Sequence, residues 1–280
     1  MTTQRRILVC GEILRVEGPA DLWAGCPLAS DDDGPAVLEV GATERRALPA
    51  AKGQRLFDGP AFSIFEGPAG LEVELRDGAV RRGWARFAWR TGQVEVLLCP
   101  CESAFDLRLK EEVLPELMVT HLWPLRGRAY LHASGTLRQG RARLFLGPSG
   151  EGKTTAARQL EGAGDACFGE DRCVAGCAPE PWAASAPWHG GAPGVGRPSP
   201  LAGLFVLQRR GRGHEPVRPL PPDEAMGHLV RNAFMPRWWR PGVEAAVDAV
   251  GRLARRVPAW SLSVPIQEIA QAVRGAEARP

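Results

Sequence analysis

Apolar residues in the first hundred positions come in short runs separated by turn residues. Ile7–Cys10, Ala36–Val40, Ala61–Phe65, Leu71–Leu75 and Val94–Leu98 are the clearest. Gly-Pro, Asp-Gly and Thr-Gly pairs stand between them, and the two signals together predict a β-rich region over 1–104. In Leu71-Glu-Val-Glu-Leu75 apolar and acidic residues alternate strictly, as in a strand with one face toward solvent. Asp31-Asp-Asp-Gly-Pro35 reads as an exposed loop.

The pattern changes near residue 105. Positions 106–123 predict a helix, with Val113, Leu117, Thr120 and Leu125 near one stripe and Pro124 and Gly127 to end it. Arg128–Ala133 and Arg141–Leu146 read as strands joined by the hairpin connection Thr136-Leu-Arg-Gln-Gly140. A helix follows from Lys153 to Glu161, stopped by Gly162 and Gly164. Phe168–Val174 reads as a short strand. Cys177–Pro200, rich in Pro, Gly and Ala, predicts an irregular segment, and Leu201–Leu207 a further strand. Val243, Val247, Val250, Leu253 and Val257 recur at helical spacing and predict a core stripe. The chain is read as α/β, with domains at 1–104 and 105–280.

Composition narrows the classes. Of 280 residues, 44% are hydrophobic and 24% charged, ordinary for a globular protein. The net charge of +3 gives no general reason to expect nucleic acid or membrane as a partner. No apolar run approaches the roughly 20 residues of a membrane span. The opening residues run straight into Ile7-Leu-Val-Cys10 without a signal region, so a cytoplasmic protein with reduced thiols is expected. Cys99-Pro-Cys101 is too tight for a common zinc pair, and Cys167, Cys173 and Cys177 lack the paired spacing. The cysteines are read as small packed side chains. Arg209-Arg-Gly-Arg-Gly213 is read as a solvated turn, and Trp238 and Trp239 as buried anchors rather than a binding platform.

The strongest chemical signal is Leu144-Phe-Leu-Gly-Pro-Ser-Gly-Glu-Gly-Lys-Thr-Thr155. It contains Gly147-x-x-x-x-Gly152-Lys153-Thr154, the P-loop pattern, entered by an apolar strand and left by a helix. Chance gives on the order of 0.003 such matches in a chain of this composition. Glycines let the backbone amides of Gly147, Ser149, Gly150, Glu151, Gly152 and Thr155 turn toward phosphate oxygens. The helix start adds positive potential. Lys153 can reach the terminal phosphates and Thr154 can offer its hydroxyl to Mg²⁺. Lys153 is also one of only three lysines among the 35 basic residues. Two further pieces flank the loop: His132 at a strand end in Tyr130-Leu-His-Ala-Ser-Gly135, and Glu170-Asp171-Arg172.

In the order and spacing of these pieces, residues 105–265 resemble the HPr kinase/phosphorylase family, whose nucleotide-binding core is shared with phosphoenolpyruvate carboxykinases. Leu131-His132-Ala133-Ser134-Gly135, Gly147–Thr154 and Glu170-Asp171-Arg172 carry the resemblance. Ala186-Pro-Trp-His-Gly190 and the strand Leu201–Leu207 look like relatives that modify peptides or small proteins.

The resemblance implies a mixed sheet with flanking helices, ATP and Mg²⁺ as cofactors, and transfer of the γ-phosphoryl group to a hydroxyl, foremost a serine of a peptide or small protein. Homo-oligomers are common among the relatives. One of Glu170 and Asp171 would help hold metal and the other act as base, which of them being open. His132 would lie near the transferring group. Arg172 would neutralise charge there or pair with a neighbouring acid. His189 would contact substrate or phosphate, or sit in a solvated loop.

There are departures: Glu170 stands where the family usually has Asp, and Pro187–Pro200 holds no acid. The second argues against HPr itself as substrate and against phosphorolysis. A small-molecule or carboxykinase-like kinase, and a nucleotide-binding sensor without catalysis, are the competing expectations.

Overall fold

The computed structural model describes residues 2–10, 12–19, 36, 38–45, 47–99, 112–186, 197–208 and 215–278. The expected loop at 31–35, His189 and the basic turn at 209–213 lie outside them. The chain is mixed α/β and strand-rich, with five α-helices among the described residues. None of these helices is long and apolar enough to cross a membrane. The chain divides into two compact units, Met1–Leu122 with Arg237–Arg240, and Trp123–Pro236 with Pro241–Pro280.

The first unit is built on an eight-stranded sheet. Its strands are β1 (Thr2–Val9), β2 (Glu12–Pro19), β3 (Leu38–Glu44), β4 (Gln54–Asp58), β5 (Phe62–Gly67), β6 (Gly70–Asp77), β7 (Val80–Ala88) and β8 (Gln93–Leu98). Their spatial order is β1-β2-β3-β8-β7-β6-β5-β4. Pairing is parallel only at β2–β3 and β3–β8. Strand β7 escapes an apolar-run reading because Arg81, Arg82 and Arg86 interrupt it. The alternation in β6 does not leave a fully wet face: Glu74 is buried, and it accepts from Arg76, Arg81 and the Ala51 amide.

Helix α1 (Leu114–Leu122) is buried on nearly every side, through Leu114, Leu117, Met118, Val119, His121 and Leu122. The expected stripe is therefore too narrow, and Leu125 is exposed in a 3₁₀ turn that ends at Gly127. The buried Trp239 donates its indole N–H to Glu66 Oε1 at 3.0 Å and packs 5.0 Å from Trp89. It is the anchor that its sequence suggested.

The second unit holds β9 (Arg128–Leu131), β10 (Ser134–Arg138), β11 (Arg141–Leu146), β12 (Ala166–Gly169), β13 (Cys173–Gly176), β14 (Trp182–Ser185), β15 (Ser199–Leu207), β16 (Val217–Pro219) and β17 (Ala259–Leu262). The order is β12-β10-β11-β15-β14-β13-β9, with β17 pairing β15 and β16. Parallel pairing joins β11 to β15 and β15 to β17. The antiparallel group β14-β13-β9 pairs with β15 through Trp182↔Pro200 and Ala183↔Ser199.

Helices α2 (Lys153–Gly162), α3 (Pro222–Asn232), α4 (Arg240–Arg256) and α5 (Ile269–Glu277) complete the unit. Leu131, Leu144, Val206, Leu229, Val250 and Leu253 share one core. Phe145, Phe205 and Trp260 stack in register across β11, β15 and β17.

Three expectations change here. The irregular segment at 177–200 contains β14, whose Trp-Ala-Ala-Ser sequence has no β-branched residue and is held by its position between β13 and β15. The core face of α4 runs through Ala246, Ala249, Val250 and Leu253, while Val243 and Val247 are only half-buried. Phe168–Val174 is not one strand: β12 and β13 pair with different partners, and Glu170–Arg172 form the turn between them.

Candidate functional site

Three separate stretches of the second unit converge through strand register. The loop 147–152 leaves the end of β11. Ser134 opposes Phe145, so His132 and Ala133, just before β10, arrive beside that end. Gly135 opposes Gly169 at the end of β12, so Glu170–Arg172 arrive there as well.

Loop geometry depends on its glycines. Gly150 and Gly152 have φ of 85° and 87°, in the left-handed region that side-chain-bearing residues avoid. At Gly152 a Cβ would also stand 3.1 Å from Ile266 Cδ1. Gly152 is the N-cap of α2 and supplies no side chain to cap it, so the first helical amides receive no acceptor from the cap residue. Gly147 and Lys153 are buried, Glu151, Gly152 and Thr154 half-buried, and Ser149, Gly150 and Thr155 exposed.

The Lys153 ammonium donates to Gly147 O at 2.9 Å and Pro148 O at 3.1 Å. Burial pushes its pKa down, while the carboxylates of Asp171 and Glu151 oppose that shift. A buried lysine at an uncapped helix start is a donor set matched to phosphate oxygens.

Asp171 sits at φ 64°, a left-handed conformation that aspartate tolerates better than most residues. The turn is closed by Arg172 N–H donating to Glu170 O at 2.8 Å. His132 Nε2 lies 3.3 Å from Asp171 Oδ1. An ionised carboxylate only accepts, so that nitrogen carries the proton. Burial lowers the His132 pKa most, and the charge of Lys153 adds to it, against the pull of Asp171.

Glu170 does not join this pair. It faces Arg158 of α2 at 3.8 Å, with its side chain 34% exposed. The Arg172 guanidinium lies 4.1 Å from the centre of the Phe234 ring and donates to Asp171 O at 3.2 Å.

Two residues without a motif hold the site together. Asn232, the last residue of α3, accepts the Gly147 amide on Oδ1 at 3.3 Å, and its own carbonyl accepts the His132 amide at 2.7 Å. Phe234 donates its amide to Tyr130 O at 2.8 Å and packs 4.8 Å from the Tyr130 ring. The sequence holds no local signal for either, since their partners are some 60 to 100 residues away.

The residues present suit a nucleotide phosphate with Mg²⁺. Lys153 and the amides of 150–154 would hold phosphate oxygens, and the Thr154 hydroxyl would face the cation. No group of three or more His, Cys, Asp or Glu among the described residues could hold a metal alone. Mg²⁺ commonly takes one or two protein ligands and completes its shell with phosphate and water. Compared with protein-family models and with curated proteins, the sequence matches none.

Proposed function

We propose that the second unit is an HPr kinase-like core that binds ATP with Mg²⁺ and passes a phosphoryl group to a hydroxyl, foremost a serine of a peptide or small protein. The observation that carries this reading is the convergence of a buried P-loop lysine with the His132–Asp171 pair. ATP supplies the phosphoryl group, and Mg²⁺ with Lys153 neutralises charge as it moves.

The chain's own residues do the rest. The loop amides orient the phosphates. Lys153 keeps its charge fixed by two carbonyl bonds, so little reorganisation is needed. Asp171 accepts the proton of the incoming hydroxyl. His132 steers that carboxylate through its Nε2–H. Arg172, held against Phe234, adds positive charge beside the pair.

The competing reading is ATP binding without transfer. It is favoured by one observation, that Glu170 faces Arg158 instead of Asp171. Incubation with γ-labelled ATP, Mg²⁺ and lysate of the source organism separates the two. Label in a protein or peptide fraction supports the kinase. ATP binding with no labelled acceptor in any fraction supports the sensor.

A further inference from the structure

A cavity of about 940 Å³ opens between the β10–β11 hairpin, the starts of β15 and β17, and helix α5. It takes no part in the proposed reaction. Arg141, on its wall, begins β11, whereas the phosphate loop leaves the other end of that strand. The separation from Arg141 to Gly147 is roughly 20 Å at strand rise.

Charge in this cavity is one-sided. Four guanidinium groups line it, those of Arg138, Arg141, Arg143 and Arg274, against a single carboxylate, Glu277. That carboxylate is already engaged, accepting from Arg143 Nε at 2.6 Å and Nη2 at 2.5 Å. Buried Asp165 accepts from the third nitrogen of the same side chain at 2.5 Å. Arg143 is thus neutralised twice, and the arginines around it are not.

Arg138 and Arg141 stand directly opposite each other across the hairpin, where like charges destabilise a strand pair. Neither has an acidic partner among the described residues. Arg274 donates to the Ala163 carbonyl at 2.8 Å and retains its charge. An anion in the cavity would relieve this repulsion.

Much of the remaining wall is apolar. Pro219, Pro258 and Trp260 contribute to it. The indole is braced by Phe205, with ring centres 5.1 Å apart and planes 14° from parallel. A compact inorganic anion matches this wall poorly. The unneutralised guanidinium groups sit on both strands of the β10–β11 hairpin and on helix α5, and the apolar surface would meet only water. A ligand with spaced carboxylates and apolar side chains between them satisfies both parts.

We propose that this cavity binds a short acidic segment of a partner protein. Its carboxylates would take the planar forks of Arg138, Arg141 and Arg274, a geometry suited to bidentate bonds, and an apolar side chain would lie on Trp260 and the flanking prolines. Binding here is independent of phosphoryl transfer.

The test is fluorescence anisotropy of the full chain with a labelled octapeptide of alternating Glu and Leu, in the absence of ATP. Saturable binding that weakens with added salt is expected. The double substitution Arg138→Glu with Arg141→Glu, at the hairpin end, should weaken it by at least about tenfold. Arg274→Glu, on a different element, should act in the same direction, so that a misfolded hairpin is not mistaken for a lost site. Asp171→Asn should bind the probe as wild type does, which separates this proposal from the kinase reading. No binding to wild type would overturn it. So would equal binding of an alternating Lys-Leu octapeptide, unchanged affinity in both arginine variants, or displacement of the probe by inorganic phosphate at low concentration.

Discussion

Asn232 Oδ1 accepts the amide of Gly147 at 3.3 Å, tying the end of helix α3 to the first glycine of the loop 147–152. The same side chain is fixed from its other end, where Nδ2 donates to His228 O at 2.9 Å. Within the motif Lys153 holds the carbonyl of Gly147, and Asn232 holds its amide from outside the motif.

Asn232→Ala should therefore act on both stability and nucleotide affinity. It leaves the buried Gly147 amide without its acceptor, at a cost of about 1–3 kcal/mol. Thermal melting with and without MgATP checks it. The variant should melt lower and gain less from nucleotide than wild type does.

Lys153→Met should remove nucleotide binding and with it phosphoryl transfer. The substitution keeps the unbranched stem but strips a buried charge from the loop and two donors from Gly147 O and Pro148 O. Calorimetry should show ATP affinity lower by at least about tenfold. Wild-type affinity in this variant would remove the loop from the account.

The pH behaviour of His132 follows from its neighbours. Burial and the charges of Lys153 and Arg172 hold its pKa below the ordinary histidine value of 6.5. In Lys153→Met one of those causes disappears, so the pKa should rise. Titration of the His132 ring followed by NMR reads this without any assay of activity. An unchanged midpoint would mean that the ammonium and the imidazole do not interact.

In the first unit, His121 makes stability depend on pH. Its ring is fully buried; Nδ1 donates to Leu117 O at 2.6 Å and Nε2 accepts from the Trp238 indole at 3.1 Å. Both nitrogens are used in the neutral form, and burial lowers the pKa from 6.5 to about 4. Between those values the unfolded chain takes up a proton that the folded unit refuses. The contribution is complete above pH 6.5 and is lost as pH falls toward 4, by about 3 kcal/mol in all. Urea midpoints in mildly acidic and neutral buffer should drop more steeply for wild type than for His121→Gln. Parallel slopes would contradict the assignment.

The strand–loop–helix path around Gly147–Thr154 was legible because its signals are local. Strand, glycines, lysine and helix start fall within Leu144–Thr155, and each is required by the backbone path of its neighbours. Glu170, Asp171 and Arg172 were legible as residues but not as a turn. The left-handed φ of Asp171 and the change of strand partner between Gly169 and Cys173 are set by distant pairing. Asn232 and Phe234 were illegible because their value lies in contacts made across the fold. Strand β14 was hidden for a related reason: Trp182–Ser185 has weak intrinsic preference and gains its form from β13 and β15.

In the proposed reaction Asp171 takes the proton of an acceptor hydroxyl as phosphoryl leaves nucleotide held by the Lys153 loop. Its most direct measurement compares wild type with Asp171→Asn, side by side, for transfer of label from γ-labelled ATP to acceptors in lysate of the source organism. The account predicts labelled peptide or protein with wild type, and a loss of about a hundredfold or more with the variant, while ATP affinity and melting temperature stay close to wild type. Equal labelling by both proteins would contradict it.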